Sequence, residues 1–362
     1  MAVIGRLTAG AYTLPTTTPE SDGTLEWDST TLVVVHAQAA DHCGFGYTYA
    51  HRACVDIIHN VLSPVVVGLD ALDVTRAWDA MRRTVRNQGL PGIAATSIAA
   101  VDTALWDLKA RVLKVPLVSL LGASREAVDV YGSGGFTSYS DSQLQKQLAG
   151  WAGLGIRMMK MKVGREPARD PARVRSARAV IGDDRELFVD ANGAYSRKQA
   201  LALAERFALE SRVSWFEEPV SSDDLSGLHL LVERAPAGME IAAGEYGYEL
   251  HYFRRMLEAG AVDVLQVDAS RCCGVSGFMR ASALCEAFGL PLSAHTAPTL
   301  HAHLCCAATP ARHVEYFHDH ARIEQMLFDG ALVPTGGVLK PDLSRPGIGV
   351  VFKASDAEPY RA

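Results

Sequence analysis

Apolar and polar positions change rhythm twice along this chain. Over residues 3–7 and 31–37 short apolar runs predict strands, and between them lies a polar stretch, 15–28, holding Thr16-Thr17-Thr18-Pro19 and Asp22-Gly23. A polar loop of that length inside a compact domain points to a mobile lid. Gly44-Phe45-Gly46-Tyr47-Thr48-Tyr49 reads as a further strand end or turn. Helical periodicity then takes over at 53–62, 71–88 and 94–113, and stops at Pro116 and Leu120-Leu121-Gly122. These elements predict an α+β unit over residues 1–125.

After Arg125 strand and helix alternate. Short apolar strands begin near Val128, Arg157, Glu186, Ser214, Glu240, Val262, Pro291 and Arg312, with helical stretches at 141–154, 170–181, 197–210, 225–235, 248–259, 274–288 and 300–309. Eight strands joined by helical crossovers fit a closed parallel barrel better than an open sheet. The predicted class is therefore α/β, a TIM-like (β/α) barrel over 126–320 beside the α+β capping domain. The tail, 321–362, turns to Asp329-Gly330, Thr335-Gly336-Gly337 and Arg345-Pro346-Gly347. It is expected to be rich in turns and to return to the first domain.

Composition narrows the function classes. At 362 residues and 48% hydrophobic content the chain suits two domains with buried parallel strands. A net charge of −6 without any basic cluster excludes the electrostatic footprint of a nucleic-acid binder. No apolar run reaches membrane-spanning length, and residues 1–15 make a poor signal peptide, so a cytoplasmic location is expected. Seven cysteines, an odd number with two adjacent pairs, predict free thiols rather than a disulfide framework. No GxGxxG or Walker loop follows any strand.

The chemistry sits where predicted strands finish. Lys160 and Lys162 lie in Met158-Met159-Lys160-Met161-Lys162-Val163-Gly164, and strand alternation sends both to one face. Successive strands then end in Asp190, Glu217, Glu245, Asp268, His295 and Glu315, each preceded by apolar residues. One such group is an ordinary polar rim. Seven in register need compensation for clustered like charges. Asp190, Glu217 and Glu245, on three consecutive strands, supply hard oxygen ligands, and Mg²⁺ with open positions for a substrate carboxylate and hydroxyl answers their repulsion.

Taken in order, Lys160-Met161-Lys162, Asp190-Ala191-Asn192, Trp215-Phe216-Glu217-Glu218-Pro219, Gly244-Glu245, Asp268, His295 and Glu315 resemble the enolase superfamily, mandelate racemase subgroup, across essentially the whole chain. The resemblance implies that Asp190, Glu217 and Glu245 hold Mg²⁺, and that Lys162 is a base on one face of the substrate. It implies that His295, oriented by Asp268, is the acid/base on the other face. Lys160 would lower the pKa of Lys162 and contact the substrate carboxylate, and Glu315 would donate a hydrogen bond to that carboxylate as charge builds. Glu218 matches a second glutamate that is not a direct ligand. A lysine base works near neutral pH only if its pKa falls to about 7–8. The segment after Asp268, Ala269-Ser270-Arg271-Cys272-Cys273-Gly274, departs from the paired glycines frequent in relatives.

The activity implied is abstraction of the proton α to a carboxylate followed by loss of a β-hydroxyl, the dehydration of an acid sugar to a 2-keto-3-deoxy acid. A racemase or epimerase would use the same Lys/His pair, and a binding protein that kept the barrel without turnover is the remaining alternative. Specificity would come from the loops at 15–28 and 43–51. Asn192 and Tyr47 are candidate substrate contacts, with Tyr49, Tyr139, Tyr246 and Arg271 as further possibilities. The expected partners are a small carboxylate substrate and further copies of the chain in a homo-oligomer.

Overall fold

The structure, a computed structural model, describes residues 2–362. It opens with three antiparallel strands, β1 (Ile4–Ser21), β2 (Glu26–Ala39) and β3 (His42–Tyr49). The expected loop at 15–28 is instead the tip of the β1–β2 hairpin, where Glu20 pairs with Trp27 and Ser21 with Glu26. The register slips between Pro15 and Glu20, where proline cannot donate to the ladder. Polarity misled the reading because threonine is β-branched and suits a half-exposed pleat. The turn is closed by Asp22, whose Oδ1 accepts from the Thr24 amide at 2.6 Å and the Leu25 amide at 2.7 Å.

The cap sheet lies on the long helix Ile93–Val112, which meets β3 through Ala100, Ala104 and Leu108. Gly44 and Gly46 allow this approach: a Cβ on either would fall 2.2 Å from a carbonyl oxygen of that helix. The same helix ties cap to barrel. Buried Asp102 accepts a hydrogen bond from the Ser276 amide at 2.8 Å, in the first turn of the helix Gly274–Phe288, and meets the Ser276 hydroxyl at 2.8 Å. Cys273, before that helix, is in the left-handed region at φ 63°, so the departure from paired glycines leaves the turn geometry in place with a strained residue.

Eight parallel strands close the barrel: β4 (Val128–Gly134), β5 (Met158–Lys162), β6 (Glu186–Asp190), β7 (Val213–Glu217), β8 (Glu240–Ala243), β9 (Val264–Val267), β10 (Leu292–Ala294) and β11 (Ala311–Phe317), with β11 pairing to β4. Period-two alternation sorts their inward residues into layers. Tyr131, Phe188, Trp215 and His313 plug the floor, with Phe188 stacked on Trp215 at 5.2 Å. Two residues further along β6 and β7 the same face carries Asp190 and Glu217, paired in register.

The tail differs from the expected run of turns. A helix, His318–Leu327, follows β11, and its buried face includes Asp319, His320 and Glu324, which hid its amphipathic pattern. The chain then lays Phe352 against Phe45 and Tyr12 of the cap sheet, and the Ala362 amide donates to the Ala11 carbonyl at 3.0 Å. Among the described residues no helix is long and apolar enough to cross a membrane, and all seven cysteines are free.

Burial raises the Asp102 carboxyl to about 7, against hydrogen bonds from Ser276 and attraction to Arg280 that favour its charge. Below about pH 4 both folded and unfolded chains hold this proton. Between about 4 and 7 only the folded chain keeps it, so this group lowers stability as pH rises through that window. Asp102→Asn is therefore expected to gain stability relative to the parent by up to about 1.4 kcal/mol per pH unit across the window. Urea denaturation of both proteins at pH 5 and pH 7.5 measures this; parallel shifts would show Asp102 ionised throughout.

Candidate active site

The strand ends converge as a buried, charged layer above the aromatic floor. Lys160 is completely buried, its Nζ 2.5 Å from Glu217 Oε1, 2.8 Å from Glu315 Oε1 and 3.3 Å from Asp190 Oδ2. It lies 5.4 Å over the Tyr131 ring. Lys162, one pleat further, donates to Asp190 Oδ2 at 2.5 Å and borders the open cavity. The Arg173 guanidinium donates to its carbonyl at 3.0 Å and so fixes the end of β5.

Asp190, Glu217 and Glu245 each bring a carboxylate oxygen to within 4.8 Å of the other two, and all three are buried. Glu217 is anchored through its second oxygen by the Trp215 indole at 3.0 Å. Asn192 and Glu218 hold left-handed backbone at φ 45° and 37° as the chain turns out of β6 and β7. One oxygen of each, Asn192 Oδ1 and Glu218 Oε1, is buried without a partner.

His295, at the end of β10, sits across the barrel from Lys162: β5 and β10 are three strands apart one way around and five the other. Its Nδ1 lies 2.8 Å from Asp268 Oδ2 and its Nε2 lies 3.0 Å from Glu245 Oε2. Asp268 is itself fixed, its Oδ1 accepting from the Ser270 amide and hydroxyl at 2.7 Å each. An ionised Asp268 thus selects the tautomer with the proton on Nδ1 and turns Nε2 to the cavity.

Charge accounting decides what this layer can hold. Six buried carboxylates, Asp190, Glu217, Glu218, Glu245, Asp268 and Glu315, face Lys160, Lys162, Arg271 and His295. Burial, then Asp190, pushes Glu217 well above the carboxylate range, and burial, then Glu245, does the same to Glu218. Burial acts against charge on Asp190 too, but Lys162 and Lys160 bring it below its ordinary value. The chain's own cations cannot keep every carboxylate ionised. A divalent cation with oxygen preference fits that donor set and that deficit.

The same balance acts on Lys162, Glu315 and His295. Burial would lower the Lys162 pKa, yet Asp190, Glu245 and Glu217 together outweigh it and the net shift is upward, so Lys160 beside it does not suffice to make a neutral amine. Positive charge from a cation among the carboxylates is needed for that. Glu315 accepts from Lys160 and from the Ser133 hydroxyl at 2.5 Å. Against its burial, Lys160, His295 and Lys162 hold it below the usual range, so it accepts from both Lys160 and Ser133. His295 is raised to about 9: burial lowers it, but Glu245, Glu315 and the bond to Asp268 prevail.

A cavity of about 450 Å³ opens above this layer, lined by Lys162, Asn192, Glu245, Asp268 and His295 and roofed by the β1–β2 hairpin. That volume is within the range of about 300–1,000 Å³ for small-molecule sites. Tyr47 does not reach it. Its ring is fully buried against Phe45 and Phe328, and its hydroxyl donates to Glu324 at 2.7 Å. Tyr49, on the same face of β3 but at the strand's end, lines the cavity, as do Tyr246 and Arg271, whereas Tyr139 borders a separate groove. Ser133 and His320 were not anticipated. Ser133 follows Tyr131 on the inward face of β4, a position that period-two reading could have flagged. His320 lies in the helix that the sequence pattern concealed.

Comparison with known proteins agrees with this architecture. Residues 143–357 match the family model "Enolase C-terminal domain-like", and residues 17–122 match the N-terminal domain of mandelate racemase / muconate lactonizing enzyme. The chain is 31% identical to a 3,6-anhydro-alpha-L-galactonate cycloisomerase of Streptomyces coelicolor over 97% of both chains. It is 30% identical to an arabinonate dehydratase of Saccharolobus solfataricus, over 91% of this chain and 90% of that one. A mandelate racemase/muconate lactonizing enzyme-like protein from Rubrobacter xylanophilus superposes with a TM-score of 0.97 at 52% identity, covering 99% of each chain. A racemase from Streptomyces coelicolor with bound magnesium superposes at 0.93 and 29% identity, covering 99% of this chain and 100% of that one. With both domains matched and the strand-end carboxylates brought together at the barrel mouth, the chain belongs to the mandelate racemase subgroup of the enolase superfamily.

Proposed function

We propose that the protein is an Mg²⁺-dependent acid sugar dehydratase, removing the proton α to a carboxylate and expelling a β-hydroxyl to leave a 2-keto-3-deoxy acid. The observation that carries this reading is the pairing of a three-carboxylate cluster with Lys162 and His295 on opposing walls of one cavity. Asp190, Glu217 and Glu245 would hold Mg²⁺, which when bound supplies positive charge for the substrate carboxylate and for the charge that develops on it. Lys160, fully buried in the charged layer, adds a positive charge on the same side.

Lys162 takes the α-proton from one face. His295, its Nδ1 proton held by Asp268, presents Nε2 from the other face and delivers a proton to the departing hydroxyl. Two groups on opposite walls suit elimination because the base and the leaving group need separate partners. The same pair would serve a racemase, and the magnesium-bound racemase among the structural relatives keeps that second reading open. Retention of the leaving oxygen in a ring-derived substrate, as the name cycloisomerase implies for another relative, would give an isomer without loss of water.

Three outcomes are expected. Incubated with Mg²⁺ and a library of sugar acids, the protein yields a semicarbazide-reactive 2-keto acid lighter than its substrate by one water. Solvent deuterium at Cα without keto acid would instead establish racemisation, and an isomer of unchanged mass a cycloisomerisation. Lys162→Ala and His295→Asn each lower kcat by about 10²–10⁴-fold, measured as keto-acid formation; full activity in both would remove them as the proton-transfer pair. Mg²⁺ at a hundred times its Kd stabilises the protein by about 2.7 kcal/mol, and Asp190→Asn or Glu245→Gln abolishes most of that gain in thermal unfolding. Equal stabilisation of both variants would place the ion elsewhere.

A further inference from the structure

The substrate carboxylate belongs at the cationic pole, so the opposite wall decides what the far end of the substrate can be. That wall is the hairpin roof, with Tyr49, His51 and His320 beside it. Its Asp22 lines the cavity, and the Oδ1 of that residue is engaged by Thr24 and Leu25. Among the described residues lining the cavity, every cation is already committed. Lys162 is bound to Asp190, and His295 lies between Asp268 and Glu245. Arg271 donates to the Glu245 carbonyl at 3.0 Å, lies 3.6 Å from Asp268 Oδ2 and stands 5.2 Å over the Tyr246 ring.

The two remaining imidazoles do not change that sign. His320 stacks on Tyr49 at 3.4 Å, its Nδ1 accepts from the Ala297 amide at 3.5 Å, and burial keeps its ring neutral. His51 takes the Ala53 amide on Nδ1 at 3.2 Å, which leaves Nε2 free for a ligand. Arg165, which reaches the hairpin from outside the cavity, is paired with Glu26 at 2.7 Å. The roof is therefore a wall of hydroxyls and aromatic rings carrying one carboxylate.

We propose that the site selects monocarboxylic sugar acids, aldonates whose far end is a hydroxyl or a methyl group, and rejects the dicarboxylic aldarates. This rests on the dehydratase reading for the position of the first carboxylate. A second carboxylate under the roof would lose water without gaining a cation and would meet Asp22 at like charge, whereas a sugar hydroxyl can donate to Asp22 and accept from the neutral donors.

The test is calorimetric titration of the Mg²⁺-loaded Lys162→Ala protein with matched pairs: D-galactonate against galactarate, D-gluconate against D-glucarate, D-arabinonate against D-arabinarate. Keto-acid formation by the parent enzyme is followed in parallel. The aldonate is expected to bind at least about tenfold more tightly in the pairs that bind, a difference of about 1.4 kcal/mol. Asp22→Asn keeps the turn, because the amide oxygen still accepts from Thr24 and Leu25, and it narrows the gap at least threefold. Ser29→Arg, on the exposed hairpin, narrows it further. Equal or tighter binding of aldarates, an unchanged gap in both variants, or no binding by either series overturns the proposal. Selective aldonate binding without keto acid in the parent would instead sink the dehydratase reading and leave the charge selection standing.

Discussion

The structure turns on an imbalance: at the barrel mouth, buried carboxylates outnumber the cations the chain can set against them. Each desolvated charge costs several kcal/mol unless partnered. Lys160 is spent entirely on this problem, contacting Asp190, Glu217 and Glu315 at once. Even so, Glu217 and Glu218 are driven toward their neutral forms. A site so arranged is costly for folding alone and makes sense as a receptor for a small, hard, doubly charged ion.

The rest of the fold holds this arrangement rigid. Strand alternation places an aromatic floor of Tyr131, Phe188 and Trp215 beneath the charged layer, so the carboxylates cannot sink away from one another. Trp215 contributes twice, filling the barrel and donating to Glu217. The cap sheet sits over the mouth through a glycine-to-alanine contact and the link from Asp102 to Ser276. Gly23 at the hairpin tip fits against the Ala191 and Val163 carbonyls so closely that any Cβ would collide. Roof and floor thus enclose a space in which only a few side chains face the substrate.

Much of this was legible in the residues, and the gaps have physical causes. The strand starts near Val128, Glu186 and Glu240 coincide with the observed ones, and β6 and β8 are apolar runs that switch to a charged residue, Asp190 and Glu245, at or just past their ends. The charged layer was legible for the same reason. The hairpin was not, since a threonine-rich strand looks like a loop when one face is wet. The helix at His318–Leu327 was hidden by buried polar side chains that break an amphipathic pattern. Tyr47 and Tyr49 share a face of β3 and could not be told apart as substrate contacts until it was known that only the strand's last residue reaches the cavity.

The most direct measurement is a crystal structure of the protein grown with Mn²⁺ in place of Mg²⁺, using anomalous scattering to locate the ion. The account predicts one peak bonded to oxygens of Asp190, Glu217 and Glu245, with the Lys162 amine and the His295 imidazole facing a common open position from opposing sides. A peak bound to fewer than three of these carboxylates, or Lys162 and His295 on the same side of that position, would contradict it.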